Sequence, residues 1–121
     1  MKRAVLVLMA VLLLASICWA QDVPKGKDVT ITGVISCTFC NLPAVGKCSK
    51  ECCQGCIKSG DPVLLTDAKG SLYILLSGEK MKPLMTADKL DLLQEKVSIT
   101  GILVQRGGLQ GIYVKKMEKA K

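Results

Sequence analysis

Val29-Thr30-Ile31-Thr32-Gly33-Val34-Ile35-Ser36 alternates apolar and polar positions and is rich in β-branched residues, the pattern of a half-buried strand. Two short apolar runs, Pro62–Thr66 and Ser71–Ser77, flank Asp67-Ala68-Lys69-Gly70 and predict a hairpin. Ala87, Leu90 and Leu93 recur every third position behind Thr86, a candidate N-cap, and predict a helix from Ala87 to about Gln94. Lys96–Gln105 and Gly111–Met117 predict two further strands joined by a turn at Arg106-Gly107-Gly108. Between the first strand and the hairpin, Cys37–Gly46 carries Asn41, Pro43 and Gly46 and is expected to be irregular. Lys47–Lys58 has no proline and is the expected short helix of this segment, stopped by Gly60 and Pro62.

Val29–Ile35 and Val97-Ser98-Ile99-Thr100-Gly101-Ile102-Leu103 match in pattern at every position, each with a glycine in fifth place. Glycine inside a strand marks a bend, a bulge or a close backbone approach, and strands of a small barrel need such bends to close. This echo and the β-β-β-α-β-β order resemble the OB-fold, in which the helix falls between the third and fourth strands. The expected architecture is mostly β: a small five-stranded OB-like barrel with a Cys-rich, partly helical insert, residues 37–61, between strands 1 and 2. The resemblance implies ligand-binding loops but no substrate. Phe39 in the first loop and Arg106, Gly107 and Gly108 in the last are the candidates there.

Upstream of this domain (28–117), Lys2 and Arg3 precede an apolar run from Ala4 to Ile17 that ends in Cys18-Trp19-Ala20. That is the layout of a signal peptide spanning 1–20, too short for a comfortable membrane span. Lipidation of Cys18 is the variant reading, although Ile17 is bulky for such a site. Residues 21–27 form a polar lead-in and 118–121 a basic tail. The expected location is the periplasm or the extracellular space, with membrane contact only during export or through a lipid.

The 121 residues hold 17 Lys and Arg against 10 Asp and Glu. Without Lys2 and Arg3 the chain keeps a net +5. An OB-like fold with this charge raises nucleic-acid binding, but only Phe39, Tyr73 and Tyr113 remain as stacking platforms, and the lysines are dispersed. Nucleic acid is therefore not an expected partner, and partner and oligomeric state stay open. Histidine is absent, which excludes Ser-His-Asp and Cys-His catalysis, and no enzymatic activity is expected.

Chemistry concentrates in Cys37, Cys40, Cys48, Cys52, Cys53 and Cys56, six cysteines within twenty positions. On a helix, Cys48, Cys52 and Cys56 would form one stripe, with Cys53 one turn before Cys56. Three chemistries suit this set. A disulfide framework fits an exported chain, with fifteen possible pairings. A thiolate metal site fits the spacing of Cys37, Cys40, Cys53 and Cys56, which resembles a four-cysteine zinc arrangement and would also hold Cu(I), with Met81 and Met85 as weak additional copper ligands. Redox catalysis by Cys37-Thr38-Phe39-Cys40 lacks the following helix that such a site needs, because Asn41-Leu42-Pro43 breaks it.

The pattern C-x3-C-I-x2-G-x-P (Cys52, Cys56, Ile57, Gly60, Pro62), followed by Leu65-Thr66-Asp67 and a lysine-glycine turn, is similar to small exported bacterial domains of uncharacterised function. Those relatives often carry a histidine just before the motif, where this chain has Cys48. A Cys/His exchange suits a metal ligand better than a disulfide. The resemblance implies no activity. The leading expectation is an exported, non-enzymatic binding or interaction module with a disulfide-bonded insert and no cofactor. A periplasmic thiolate metal-binding protein for Zn or Cu comes next, and a thiol-disulfide oxidoreductase last.

Overall fold

The computed structural model describes residues 24–121; the leader and the first residues of the lead-in lie outside the described residues. Five strands, β1 (Lys27–Cys37), β2 (Val63–Asp67), β3 (Leu72–Ser77), β4 (Lys96–Arg106) and β5 (Leu109–Lys119), close into a barrel in the order β1-β2-β3-β5-β4. All neighbours are antiparallel except β3 and β5, which run parallel. This is the OB-like barrel expected from the strand pattern.

Closure depends on β1 serving two partners. Lys27 to Val34 pair with β4, and Gly33 to Cys37 pair with β2. The exchange occurs at Gly33, where a Cβ would run into the Thr66 carbonyl. Its counterpart Gly101 sits at the register shift between β4 and β5, where a Cβ would strike the Tyr113 carbonyl. Both echo glycines are therefore places where two backbones approach too closely for any side chain.

Ile35, Leu65, Leu75, Val97, Ile99 and Ile112 fill the interior, and Leu93 joins them. Leu93 comes from the β3–β4 connection, and here the expected helix over Ala87–Gln94 does not form. The segment has only a 3-10 turn, Leu90–Leu92. A spacing of three is the 3-10 period itself, so Leu90 and Leu93 can both face the barrel without an α-helix. Thr86 gives its hydroxyl to Asp88 rather than capping a helix. Gln94 follows at φ 64° and returns the chain to β4.

The β1–β2 insert also departs from its expected form. Thr38–Asn41 makes one helical turn, α1, within the segment read as irregular. The longer helix α2 spans Lys50–Lys58, three residues later than Lys47, because the Ser49 side chain accepts the Cys52 N–H and fixes the start there. Among the described residues, no helix is long and apolar enough to cross a membrane.

Candidate metal centre

Cys37 is the last residue of β1 and precedes α1, so its sulfur lies where the barrel opens into the insert. From there α1 brings Cys40, the loop before α2 brings Cys48, and α2 brings Cys52, Cys53 and Cys56. Cys48 thus lies before the helix, and the expected Cys48/Cys52/Cys56 helical stripe is broken at Ser49. The α2 segment docks on the 3-10 region. Lys50 Nζ donates to the Asp91 carbonyl at 2.9 Å and pairs with Glu95 at 3.0 Å, and Gln54 donates to the Leu90 carbonyl at 3.2 Å.

Among the described residues, none of the six cysteines stands at disulfide distance from another. Cys37 and Cys48 approach to 3.6 Å between sulfurs, well beyond the roughly 2.03–2.05 Å of an S–S bond. The sulfurs close into three sets whose members all lie within 4.8 Å of one another: Cys37/Cys40/Cys56, Cys37/Cys48/Cys53 and Cys40/Cys48/Cys52. Of the four residues read as a zinc-type set, the structure brings Cys37, Cys40 and Cys56 together, while Cys53 closes with Cys37 and Cys48. Cys37 and Cys53 are fully buried, Cys40, Cys48 and Cys56 half-buried, and Cys52 exposed.

N–H donors reach three of the six sulfurs, those of Cys37, Cys48 and Cys53. The Cys37 N–H donates to Cys53 Sγ at 2.8 Å. Asn41, buried at 1% exposure, donates from Nδ2 to the Cys37 carbonyl at 3.1 Å, with Cys37 Sγ at 3.4 Å and Cys48 Sγ at 3.5 Å from the same nitrogen. Its Oδ1 accepts the Gly46 N–H at 2.9 Å, so the amide is held at both ends. Gln94 Nε2 donates to the Cys48 carbonyl at 3.1 Å and reaches Cys48 Sγ at 3.7 Å. Asn41 and Gln94 are the residues beside the sulfurs that the sequence pattern does not single out: Asn41 marks only an irregular segment there, and Gln94 only the end of an expected helix.

These contacts divide the thiols electrostatically. Burial raises the Cys37 pKa, but the nearby Cys40 N–H and hydrogen bonds from Cys53, Cys48 and Cys40 outweigh it and bring the group below its usual value. Its neighbours move the other way. Burial, donation to Cys37 and the repulsion of a second anion push Cys53 up to about 12. Burial and the same neighbours also raise Cys40 and Cys56. Cys37 is thus the thiol that ionises more readily than usual, and Cys40, Cys53 and Cys56 less readily.

The other candidates fall outside the cluster. Phe39 is exposed on α1 and, with Cys52 and Cys56, lines an open groove of about 620 Å³. The expected three-residue turn is shorter: Arg106 ends β4, paired with Leu109, and Gly107 and Gly108 alone make the turn, all three outside the thiol sets. Met81 is exposed, and Met85 packs against the barrel core.

Comparison with protein-family models, curated proteins and solved structures returns no match for this chain.

Proposed function

We propose that this is an exported metal-binding protein whose insert holds a soft, closed-shell ion, Cu(I) or Zn(II), on cysteine thiolates. The observation that supports this most is three interlocking sets of cysteine sulfurs, three of whose six members face N–H donors. Sulfurs within 4.8 Å of one another are spaced for a shared ion, since metal–sulfur bonds of about 2.3 Å place ligands roughly 4 Å apart. N–H groups aimed at sulfur are what thiolate ligands use to spread their charge. The barrel supplies rigidity, fixing Cys37 at the end of β1 and Gln94 at the entry to β4. Cys37, the thiol with the lowered pKa, is fully buried, which removes it from attack on a disulfide substrate.

The competing reading is a binding module with a disulfide-bonded insert. It is supported by the export signal in the sequence and by the 3.6 Å approach of Cys37 and Cys48. Titrating the reduced protein anaerobically with Cu(I) or Zn(II) against a chromophoric chelator separates the two. Tight binding, with ultraviolet thiolate-to-metal absorption that is lost in Cys37→Ser, supports the metal reading. Failure of both ions to compete with the chelator overturns it.

A further inference from the structure

The three thiol sets overlap in a regular way. Cys37, Cys40 and Cys48 each belong to two sets, while Cys53, Cys56 and Cys52 each belong to one. Cys37, Cys40 and Cys48 are therefore also close to one another, and the three triangles around them have the connectivity of three alternate faces of an octahedron with the six sulfurs as vertices. The remaining alternate face would be Cys52/Cys53/Cys56, all from α2, which is not among the mutually close sets and has to draw together on loading. If that face is also occupied, every sulfur touches two faces.

Coordination number decides which ion such an arrangement suits. The mutually close sets contain three thiols. Zn(II) in a structural site takes four ligands, and none of the mutually close sets holds a fourth thiol. Cu(I) is selected by soft thiolates and is satisfied by three of them.

Resting on the metal-binding reading above, we propose that the six cysteines assemble a tetranuclear Cu(I)–thiolate cluster. One ion sits in each of the three thiol sets and the fourth on the α2 face, and each sulfur bridges two ions. Loading is not a redox step. Six thiols release six protons, four copper ions enter already as Cu(I), twelve Cu–S bonds form, and the cluster core carries a net charge of −2.

The surroundings match that charge. The Cys37 N–H points at Cys53 Sγ, and the Asn41 amide lies within 3.5 Å of Cys37 Sγ and Cys48 Sγ. Cys52 and Cys53 lie in the first turn of α2, at its positive end. Cys52 and Cys56 line the groove beside Phe39, so arriving ions meet these two sulfurs first.

The test is anaerobic addition of Cu(I), as its acetonitrile complex, to the fully reduced protein, read by native mass spectrometry. The expected result is cooperative filling, with a four-copper, six-proton-loss species appearing while metal-free protein is still present. Cys52→Ser removes an exposed vertex without touching the core, and it should abolish the four-copper species. Saturation below four ions, or four ions retained in Cys52→Ser, overturns the cluster. Tight binding of a single ion would overturn it while leaving the metal-binding reading standing, whereas no binding sinks both.

Discussion

Replacing Asn41 with Asp exchanges the Nδ2 donor for an oxygen and leaves shape and volume nearly unchanged. The native amide donates to the Cys37 carbonyl at 3.1 Å and faces two sulfurs at 3.4 and 3.5 Å, while its oxygen holds the Gly46 N–H at 2.9 Å. In the variant the Gly46 contact survives, but the Cys37 carbonyl loses its amide donor inside the protein. Leaving such a group unsatisfied costs about 1–3 kcal/mol. At roughly 4–8 °C per kcal/mol for a domain of this size, a loss near 2 kcal/mol should lower the Tm by about 10 °C. The sulfurs lose two N–H contacts and gain a carboxylate neighbour. Loss of an outer-shell partner typically costs about 10–100-fold in metal affinity. Competition of Asn41→Asp and parent protein for Cu(I) against one chelator measures this directly. The penalty should shrink as pH falls, because a protonated aspartate can donate one O–H. Parental affinity at every pH would refute the assignment of Asn41 to the thiolate shell.

Metal removal should be felt in folding as well as in binding, since Cys37 and Cys53 belong to the buried core. Reductant plus chelator should lower the Tm substantially, as read by circular dichroism, and an unchanged Tm would make the cluster dispensable to the fold. In the metal-free protein the Cys53 pKa is raised to about 12, and Cys40 and Cys56 are raised by burial as well. A raised thiol pKa contributes stability that is complete below the unfolded value of about 8.5 and is lost as pH climbs through the folded value. Cys37, lowered, acts in the opposite sense. With three raised groups against one, urea unfolding of the reduced metal-free protein should show stability falling between pH 9 and about 12. Gly101→Val drives a side chain into the Tyr113 carbonyl at the β4–β5 bulge; overpacking typically costs about 1–3 kcal/mol, and a parental urea midpoint would contradict the close approach.

The barrel was legible because alternation and β-branching specify strands locally, and because Gly33 and Gly101 mark the two tight approaches in the sequence itself. The helix before β4 was misread for a reason equally local. Ala87, Leu90 and Leu93 stand three apart, a spacing that serves a 3-10 turn as well as an α-helix, and only the barrel's demand for Leu93 decides between them. In the insert, composition announced the chemistry but not its grouping. Cys48 falls outside α2 because Ser49 caps the helix, a signal present in the sequence and outweighed there by the regular spacing of cysteines. Gln94 could not be found this way. It lies 46 residues from Cys48, and its amide gains meaning only when the β4 entry meets the insert.

The central claim, that these cysteines serve as thiolate ligands rather than disulfide partners, is tested most directly by the native mass of the protein purified without reductant or chelator. A chain carrying stoichiometric copper or zinc, whose six thiols become titratable once the metal is stripped, is the expected result. A metal-free chain six hydrogens lighter than its reduced form, with all three cysteine pairs oxidised, would contradict it.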